Sequence, residues 1–433
     1  MRYFKMKFGR PRGTRDFLPD EMRVRQHMLG KIREAFELHG FEEMDTPAIE
    51  LWEVLSAKGG EEVERQIYKF QDKGGRWIGL RFDLTVPLAR VVASNPNLVK
   101  PFKRYCISKV WRYEEPQSGR LREFLQADID IVGSARVEAD MECISTAVDA
   151  LKSLGLEGFE VRVNNRKILE GMMDTLSISP EVSICVFRTL DKIEKIGEED
   201  VSKELEKIGL KTELIEKILE FTHYQGSEAL EYAEQRFGSS KSIKEGIQEL
   251  RRMIELSEPY GLENLLVVDF SLVRGLDYYT GPVFEIKVKE AQIGSVAGGG
   301  RYDSLIEKFG GGPTPATGIS LGVERLYEVL NERIRSVISP SKTAVFIANT
   351  SAEVLPEAIR LRERLLKLGI VAETDLMGRK LGRQLEYADV KKIPYVLIVG
   401  PEELKTGIFK LREMANKKEF SVTLEEVTKI LGR

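Results

Sequence analysis

Arg274-Gly275-Leu276-Asp277-Tyr278-Tyr279-Thr280-Gly281 is the stretch from which the chain is best read. Its eight residues hold an arginine, an acid, two adjacent tyrosines and two glycines, and they run into Val283-Phe284-Glu285-Ile286-Lys287-Val288. The period of two in that run predicts a strand with one buried face. Carried back to the tyrosines, it points Tyr278 and Tyr279 to opposite sides of the backbone. Gly275 and Gly281 let the main chain turn or approach a ligand closely. The same residues also fit an edge strand with a solvated arginine. A second cluster nearby, Ala297-Gly298-Gly299-Gly300-Arg301-Tyr302-Asp303, favours a site.

Outward from these clusters, 433 residues predict two to four domains. A 42% hydrophobic content suffices for a core, and the net charge of −3 gives no global attraction to nucleic acid. The charge is uneven, however. Lys342 to Arg433 carries 17 basic and 13 acidic side chains, net +4, leaving −7 for the remainder, an asymmetry that an RNA-contacting module can show. Cys106, Cys143 and Cys185 stand far apart without a CxxC, and His27, His39 and His223 are scattered. Neither a disulfide framework, nor a zinc site, nor histidine-based catalysis is expected. The first residues are too short and too charged for a signal peptide. No apolar run reaches the roughly 18 residues of a membrane span, so the expectation is a cytoplasmic protein with no membrane partner.

Pro19-Asp20-Glu21 opens an amphipathic helix that ends near Gly40. Phe41 to Pro47 reads as a short strand, Ile49 to Leu55 as a helix, and the segments around Asp72 to Gly75 as a hairpin. Tyr105 to Trp111 and Glu123 to Val132 are strands, Ala135 to Leu154 a helix, and Phe159 to Val163 a strand. Strands grouped with helices to one side predict an α+β class. From 167 to 257 the strand signals give way to charged helical segments, read as an insertion. After Ser339-Pro340-Ser341, alternating strands and helices predict a separate small α/β domain.

Two further clusters join the two already quoted. Arg81-Phe82-Asp83-Leu84-Thr85 offers a carboxylate and a hydroxyl suited to an ammonium group, although Asp83 equally reads as the cap of the next helix. Arg112 and Glu114 fall on one face if the strand continues, and Phe124, Gln126, Asp128 and Asp130 share a face of the returning strand. That floor suits a charged planar ligand, or else a ladder of cross-strand salt bridges. Finally, Gly322-Val323-Glu324-Arg325-Leu326 sets Arg325 at a helix start, against the dipole, which suggests an anionic partner such as phosphate. No GxxxxGK[ST] loop is present, so a nucleotide would be held by arginines over a sheet.

With these clusters the chain resembles the histidyl-tRNA synthetase family of class II aminoacyl-tRNA synthetases, in its archaeal and eukaryotic form. The resemblance runs from Arg12-Gly13-Thr14-Arg15-Asp16-Phe17-Leu18-Pro19 to the C-terminal domain. The stretches at 274–281 and 297–303 match the family's two signatures. The segment through Pro47 resembles the dimer-forming motif 1, Arg112 to Phe124 motif 2, and Gly322 to Leu326 motif 3. The resemblance implies an antiparallel sheet core in two parts (1–166 and 258–335), a helical insertion domain (167–257) and an α/β anticodon-binding domain (342–433).

It also implies histidine–tRNA ligation, with ATP, L-histidine and tRNA(His) as partners, magnesium carried on the ATP phosphates, and a homodimer. Arg112 would hold the α-phosphate and the histidine carboxylate. Glu114 would face the adenine, Phe124 would stack on it, and Arg325 would clamp the γ-phosphate. Asp83, Leu84, Thr85, Gln126 and Asp130 belong to the implied histidine site, the polar ones around the α-amino group, with Tyr278 and Tyr279 lining the imidazole pocket. Arg274 would stand beside the α-phosphate as a second catalytic cation with Arg112, and Gln117 would reach the tRNA acceptor end. Asp83 and Asp130 stand where bacterial members have glutamates. The alternative implied by the same fold is a regulatory subunit of histidine biosynthesis without aminoacylation. Such paralogues lack the C-terminal domain and degrade the Arg274 signature, and both are present here.

Overall fold

The computed structural model describes residues 9–57, 61–116, 119–274, 278–289 and 294–432. They divide into two compact units, Met1–Glu332 and Arg333–Arg433.

The first unit is built on an eight-stranded sheet. Its order is Glu42–Glu43, Phe102–Trp111, Glu123–Val132, Ala316–Gly322, Ser295–Arg301, Pro282–Val288, Phe159–Asn165 and Leu266–Val268. The six inner strands pair antiparallel, and the short outer strands add a parallel pair at each edge. Chain order is thus scrambled in space, with strand Glu123–Val132 lying beside strand Ala316–Gly322.

Helix Pro19–Leu38 forms where the sequence places it. Proline sits in its first turn, Glu21 accepts a hydrogen bond from the Leu18 amide, and Val24, Met28, Leu29, Ile32, Ala35 and Phe36 bury one stripe. That stripe packs against helix Val137–Ser153, which lies on strand Ala316–Gly322. Seven helices between Arg166 and Ser257 replace the strand pattern, and by their contacts they belong to the same compact unit as the sheet.

Three local readings differ. Ile49–Leu51 pairs with Trp77–Leu80 as a strand before helix Trp52–Ser56 begins, because cross-strand pairing overrides the helical pattern. Strand Phe102–Trp111 stops at Trp111, so Arg112 and Glu114 lie in irregular chain and not on a strand face. Strand Pro282–Val288 likewise starts after the tyrosines, so period-two alternation does not apply to Tyr278 and Tyr279. Both are buried on the same side, with ring centroids 4.6 Å apart.

The second unit is a five-stranded mixed sheet, ordered Ala372–Thr374, Val345–Asn349, Tyr395–Val399, Phe409–Glu413 and Lys418–Val422. The first three strands run parallel and the last two are antiparallel. Alternation is visible in its two cores. Val345 and Ile347 pack on one face with Leu361 and Leu365, while Phe346 and Ala348 pack on the other with Ala388 and Ile393. Among the described residues no helix is long and apolar enough to cross a membrane.

Candidate active site

One face of the central strands is almost bare. In register, Gly298 and Gly300 lie beside Ser320 and Gly318, which lie beside Asp128 and Asp130, which lie beside Cys106 and Arg104. Residues of one face recur every second position, so these form a continuous floor in which two strands contribute only glycine and serine. The bareness has a steric cause. A β-carbon on Gly318 would lie 2.2 Å from Oδ1 of Asp130, and one on Gly298 would lie 2.3 Å from Nη1 of Arg274. The signature stretch therefore lies down on the glycine strand, with Arg274 over Gly298 and the Tyr279 ring over Gly300. Gly275, Leu276 and Asp277 of that stretch, and Gln117, lie outside the described residues.

The acidic end of the floor is tightly tied. Arg104 is 1% exposed and pairs with Asp130 at 2.8 Å, and it donates to the Leu84 carbonyl at 2.9 Å. The Tyr302 hydroxyl donates to Asp130. Burial opposes the Arg104 charge, but Asp130 and Asp128 outweigh it and raise its pKa. Asp128, 3% exposed, is pushed up to about 7 by burial, against the pull of Arg104 and with a push from Asp130 and Asp83. The groups facing it are Arg104 and Cys106 on one neighbouring strand, Ser320 on the other, Asp130 on its own strand and Asp83 from the loop.

Asp83 does cap helix Thr85–Ser94, accepting from the Val86 amide at 3.0 Å, and it is also close enough to act on Asp128 and Tyr278. The two readings of Asp83 are therefore compatible. Thr85 opens that helix, partly buried, whereas the Leu84 side chain packs with Cys106, Val110 and Phe124 in a small core. Gln126 is 9% exposed, and its Nε2 donates to Ser320 Oγ at 2.6 Å.

The other end is cationic. Arg112 donates from Nε to the Phe82 carbonyl at 2.9 Å, with its guanidinium carbon 5.3 Å from the centroid of the Phe124 ring. Arg274, in a left-handed conformation at φ 54°, pairs with Glu285 at 3.3 Å. Burial works against its charge, yet Tyr279 and Glu285 more than offset this and raise its pKa. Arg325, third residue of helix Val323–Val337, donates to the Ser295 carbonyl. Its pKa is lowered by burial, then by Arg120 and Arg274, with Glu285 and Glu114 opposing. Glu114 itself is paired with Arg120. Arg325, whose charge is disfavoured by Arg120 and Arg274 nearby, thus stands in a cationic cluster suited to an anion of high charge.

Tyr278 stands where the ends meet. Burial, then Asp83, raises its hydroxyl pKa, while Arg274 and Arg112 oppose that rise. Its ring meets Tyr302 edge-on, with centroids 6.1 Å apart. The floor thus offers an acidic, tyrosine-walled pocket continuous with an arginine cluster. Such a surface suits a zwitterion whose carboxylate is pressed against a polyphosphate. By contrast Arg301, conspicuous in the second signature, is a structural residue, paired with buried Asp140 at 2.6 Å and bonded to the Ser134 and Arg136 carbonyls.

Sequence reasoning did not single out Arg104, Ser320 or Glu285. The alternation in strand Phe102–Trp111 could have marked Arg104, but only the strand order shows what it faces. Among the described residues no group of three or more His, Cys, Asp or Glu side chains is arranged to hold a metal ion.

Comparison with known proteins finds relatives over nearly the whole chain. Residues 13–326 match the family model described as histidyl-tRNA synthetase, and residues 342–433 match that of an anticodon binding domain. A histidine–tRNA ligase of Aeropyrum pernix is 43% identical, over 98% of this chain and 97% of its own. That of Pyrococcus horikoshii is 40% identical, over 96% and 97%. The crystal structure of histidyl-tRNA synthetase from Nostoc sp. PCC 7120 superposes with a TM-score of 0.83 at 31% identity, covering 99% of this chain and all of that one. A Bacillus halodurans structure described as an ATP phosphoribosyltransferase regulatory subunit/histidyl-tRNA synthetase gives 0.75 at 26% identity, covering 91% of this chain and 98% of that one.

Proposed function

The chain belongs to the histidyl-tRNA synthetase family, and from that premise we infer its reaction and the part each residue plays in it. It is an aminoacyl-tRNA ligase that activates L-histidine with ATP and transfers the histidine to the 3′ end of tRNA(His). The observation that supports the residue assignments most is the continuity of the acidic pocket with the arginine cluster across Tyr278.

In the first step a histidine carboxylate oxygen attacks the α-phosphorus of ATP. The bond to the bridging oxygen breaks, and pyrophosphate leaves with its magnesium, which enters as part of the substrate. Arg112 and Arg274 hold the α-phosphate oxygens on which charge develops, and Arg112 also orients the attacking carboxylate. Phe124 and Glu114 receive the adenine, and Arg325 the γ-phosphate. Asp83, Thr85, Gln126 and Asp130 take the α-ammonium, while Tyr278 and Tyr279 wall the imidazole. Leu84 serves through its backbone and its packing, in keeping with a side chain turned into a core. In the second step the terminal ribose hydroxyl of tRNA attacks the carbonyl of the mixed anhydride, AMP leaves, and Gln117 reaches the acceptor end.

The C-terminal unit reads the anticodon. An open, shallow surface lined by Arg379, Arg383, Glu386, Tyr387 and Val390 supports this, because a cation stacked on an aromatic ring, here Arg379 at 4.6 Å from Tyr387, suits an unpaired base. The protein works in the cytoplasm as a homodimer through the segment ending at Pro47. The apolar Leu38, Ile49 and Leu51 beside it are 85%, 46% and 48% exposed.

The regulatory-subunit reading is disfavoured by the match over residues 342–433 and by an intact Arg274. The test is charging of tRNA(His) with labelled histidine by the purified protein. Acceptance of histidine and of no other amino acid supports the reading, and a folded protein that charges no tRNA refutes it.

A further inference from the structure

Gln126 is a side-chain amide, and an amide can present either its oxygen or its nitrogen to a ligand. Which one faces the pocket decides whether the site attracts or repels an ammonium group. Nε2 of Gln126 donates to Ser320 Oγ at 2.6 Å, and its Oε1 is buried with no hydrogen-bond partner among the described residues. Ser320 lies directly across the sheet from Asp128. Its hydroxyl oxygen accepts from the amide nitrogen, and while it does so the amide oxygen is left for a ligand.

We propose that Ser320 is a positioning residue for histidine recognition: it locks Gln126 with its carbonyl oxygen toward the ligand, as an acceptor for the α-ammonium group. The inference rests on the histidine site assigned above and goes beyond it, because Ser320 was not counted in that site. The steric setting agrees. Ser320 is flanked on its face by Gly318 and Gly322, so its hydroxyl is the one polar side-chain group that strand offers to the floor. Without the hydroxyl the amide is released to turn its nitrogen to the ammonium, donor against donor.

The test compares two ligands on wild type, Ser320→Ala and Ser320→Thr, by equilibrium binding at pH 8. The ligands are L-histidine and its des-amino analogue imidazolepropionate, which keeps the ring and the carboxylate but lacks the ammonium. Ser320→Ala is expected to weaken histidine about five- to thirty-fold, to change imidazolepropionate less than two-fold, and to leave the KM for ATP unchanged. Ser320→Thr, which keeps the hydroxyl, restores histidine affinity. A purely structural role of Ser320 would shift both ligands alike, and that outcome, or no shift in either, overturns the proposal. Loss of affinity in Ser320→Thr equal to that in Ser320→Ala overturns it too. Failure of the wild type itself to bind histidine would refute the underlying site assignment instead, so the two failures are distinguishable.

Discussion

Gly298 and Arg274 carry the most local of the consequences. Their separation in sequence hides that one exists to make room for the other, since a β-carbon at 298 would stand 2.3 Å from the guanidinium. Gly298→Ala is expected to lower histidine-dependent pyrophosphate exchange about 10²-fold in a folded protein, by lifting the cation from its place. Exchange rates beside a circular dichroism spectrum would check this. Asp128 carries a second. Burial raises its folded-state pKa to about 7 from 3.8, so between those values the folded protein holds a proton that the unfolded chain has released. Its contribution to stability is fully present below the unfolded value and is lost as pH rises through 7. Asp128→Asn should therefore be more stable than wild type at pH 8, by about 1–4 kcal/mol, with the gain shrinking toward pH 5. Urea titrations at both pH values would read it, and a gain that grows toward acid would contradict the assignment. The residues legible in the sequence were those whose chemistry is unusual where they stand, such as Arg325 at a helix start or paired Tyr278 and Tyr279. Ser320 was not, because a serine in a strand has no significance until its cross-strand neighbour is known.

At the scale of elements, period-two and period-3.6 patterns located most of the strands and helices near the site. Strand Glu123–Val132 and helix Pro19–Leu38 fall close to where the pattern puts them. What the patterns lacked was strand order. Asp130 looks like a solvated acid until strand Phe102–Trp111 brings Arg104 beside it on one side and strand Ala316–Gly322 brings Gly318 on the other. The alternation was also carried too far, through Arg112 and Glu114 and back to the tyrosines, because strand ends are set by pairing partners and not by the sequence within the strand. The buried Arg104–Asp130 pair ties the loop at Leu84 to the sheet. Arg104→Met should destabilise the protein by about 3–5 kcal/mol, mainly by stranding Asp130. Adding Asp130→Asn should recover part of that loss while histidine binding stays impaired. Denaturant unfolding of the two variants is the check, and a double variant no more stable than the single would contradict the pairing.

At the scale of the molecule, each compact unit has its own sheet, and the second has its own cores. Activation chemistry is assigned wholly to the first, and its net charge contrasts with the +4 of residues 342–433. A chain ending at Pro340 should keep pyrophosphate exchange within several-fold of the full chain and lose tRNA charging by at least about 100-fold. The KM for tRNA, and not that for histidine, should rise with salt, as basic side chains neutralising phosphates require. Parallel exchange and charging assays would show both. The change of composition at Ser339-Pro340-Ser341 lies a little beyond the division between Glu332 and Arg333. The compactness of 1–332 as one unit was not legible in the sequence, since the helical run of 167–257 reads as independent until its contacts with the sheet are seen.

The central claim is that the acidic pocket and the arginine cluster form one activation site. Histidine-dependent ATP–pyrophosphate exchange, run on wild type and Arg274→Ala with histidine binding measured alongside, tests it most directly. The account predicts exchange in the wild type, a fall of about 10²–10³ in the variant, and histidine binding retained in both. Full exchange without Arg274, or none from a folded wild type, would contradict it.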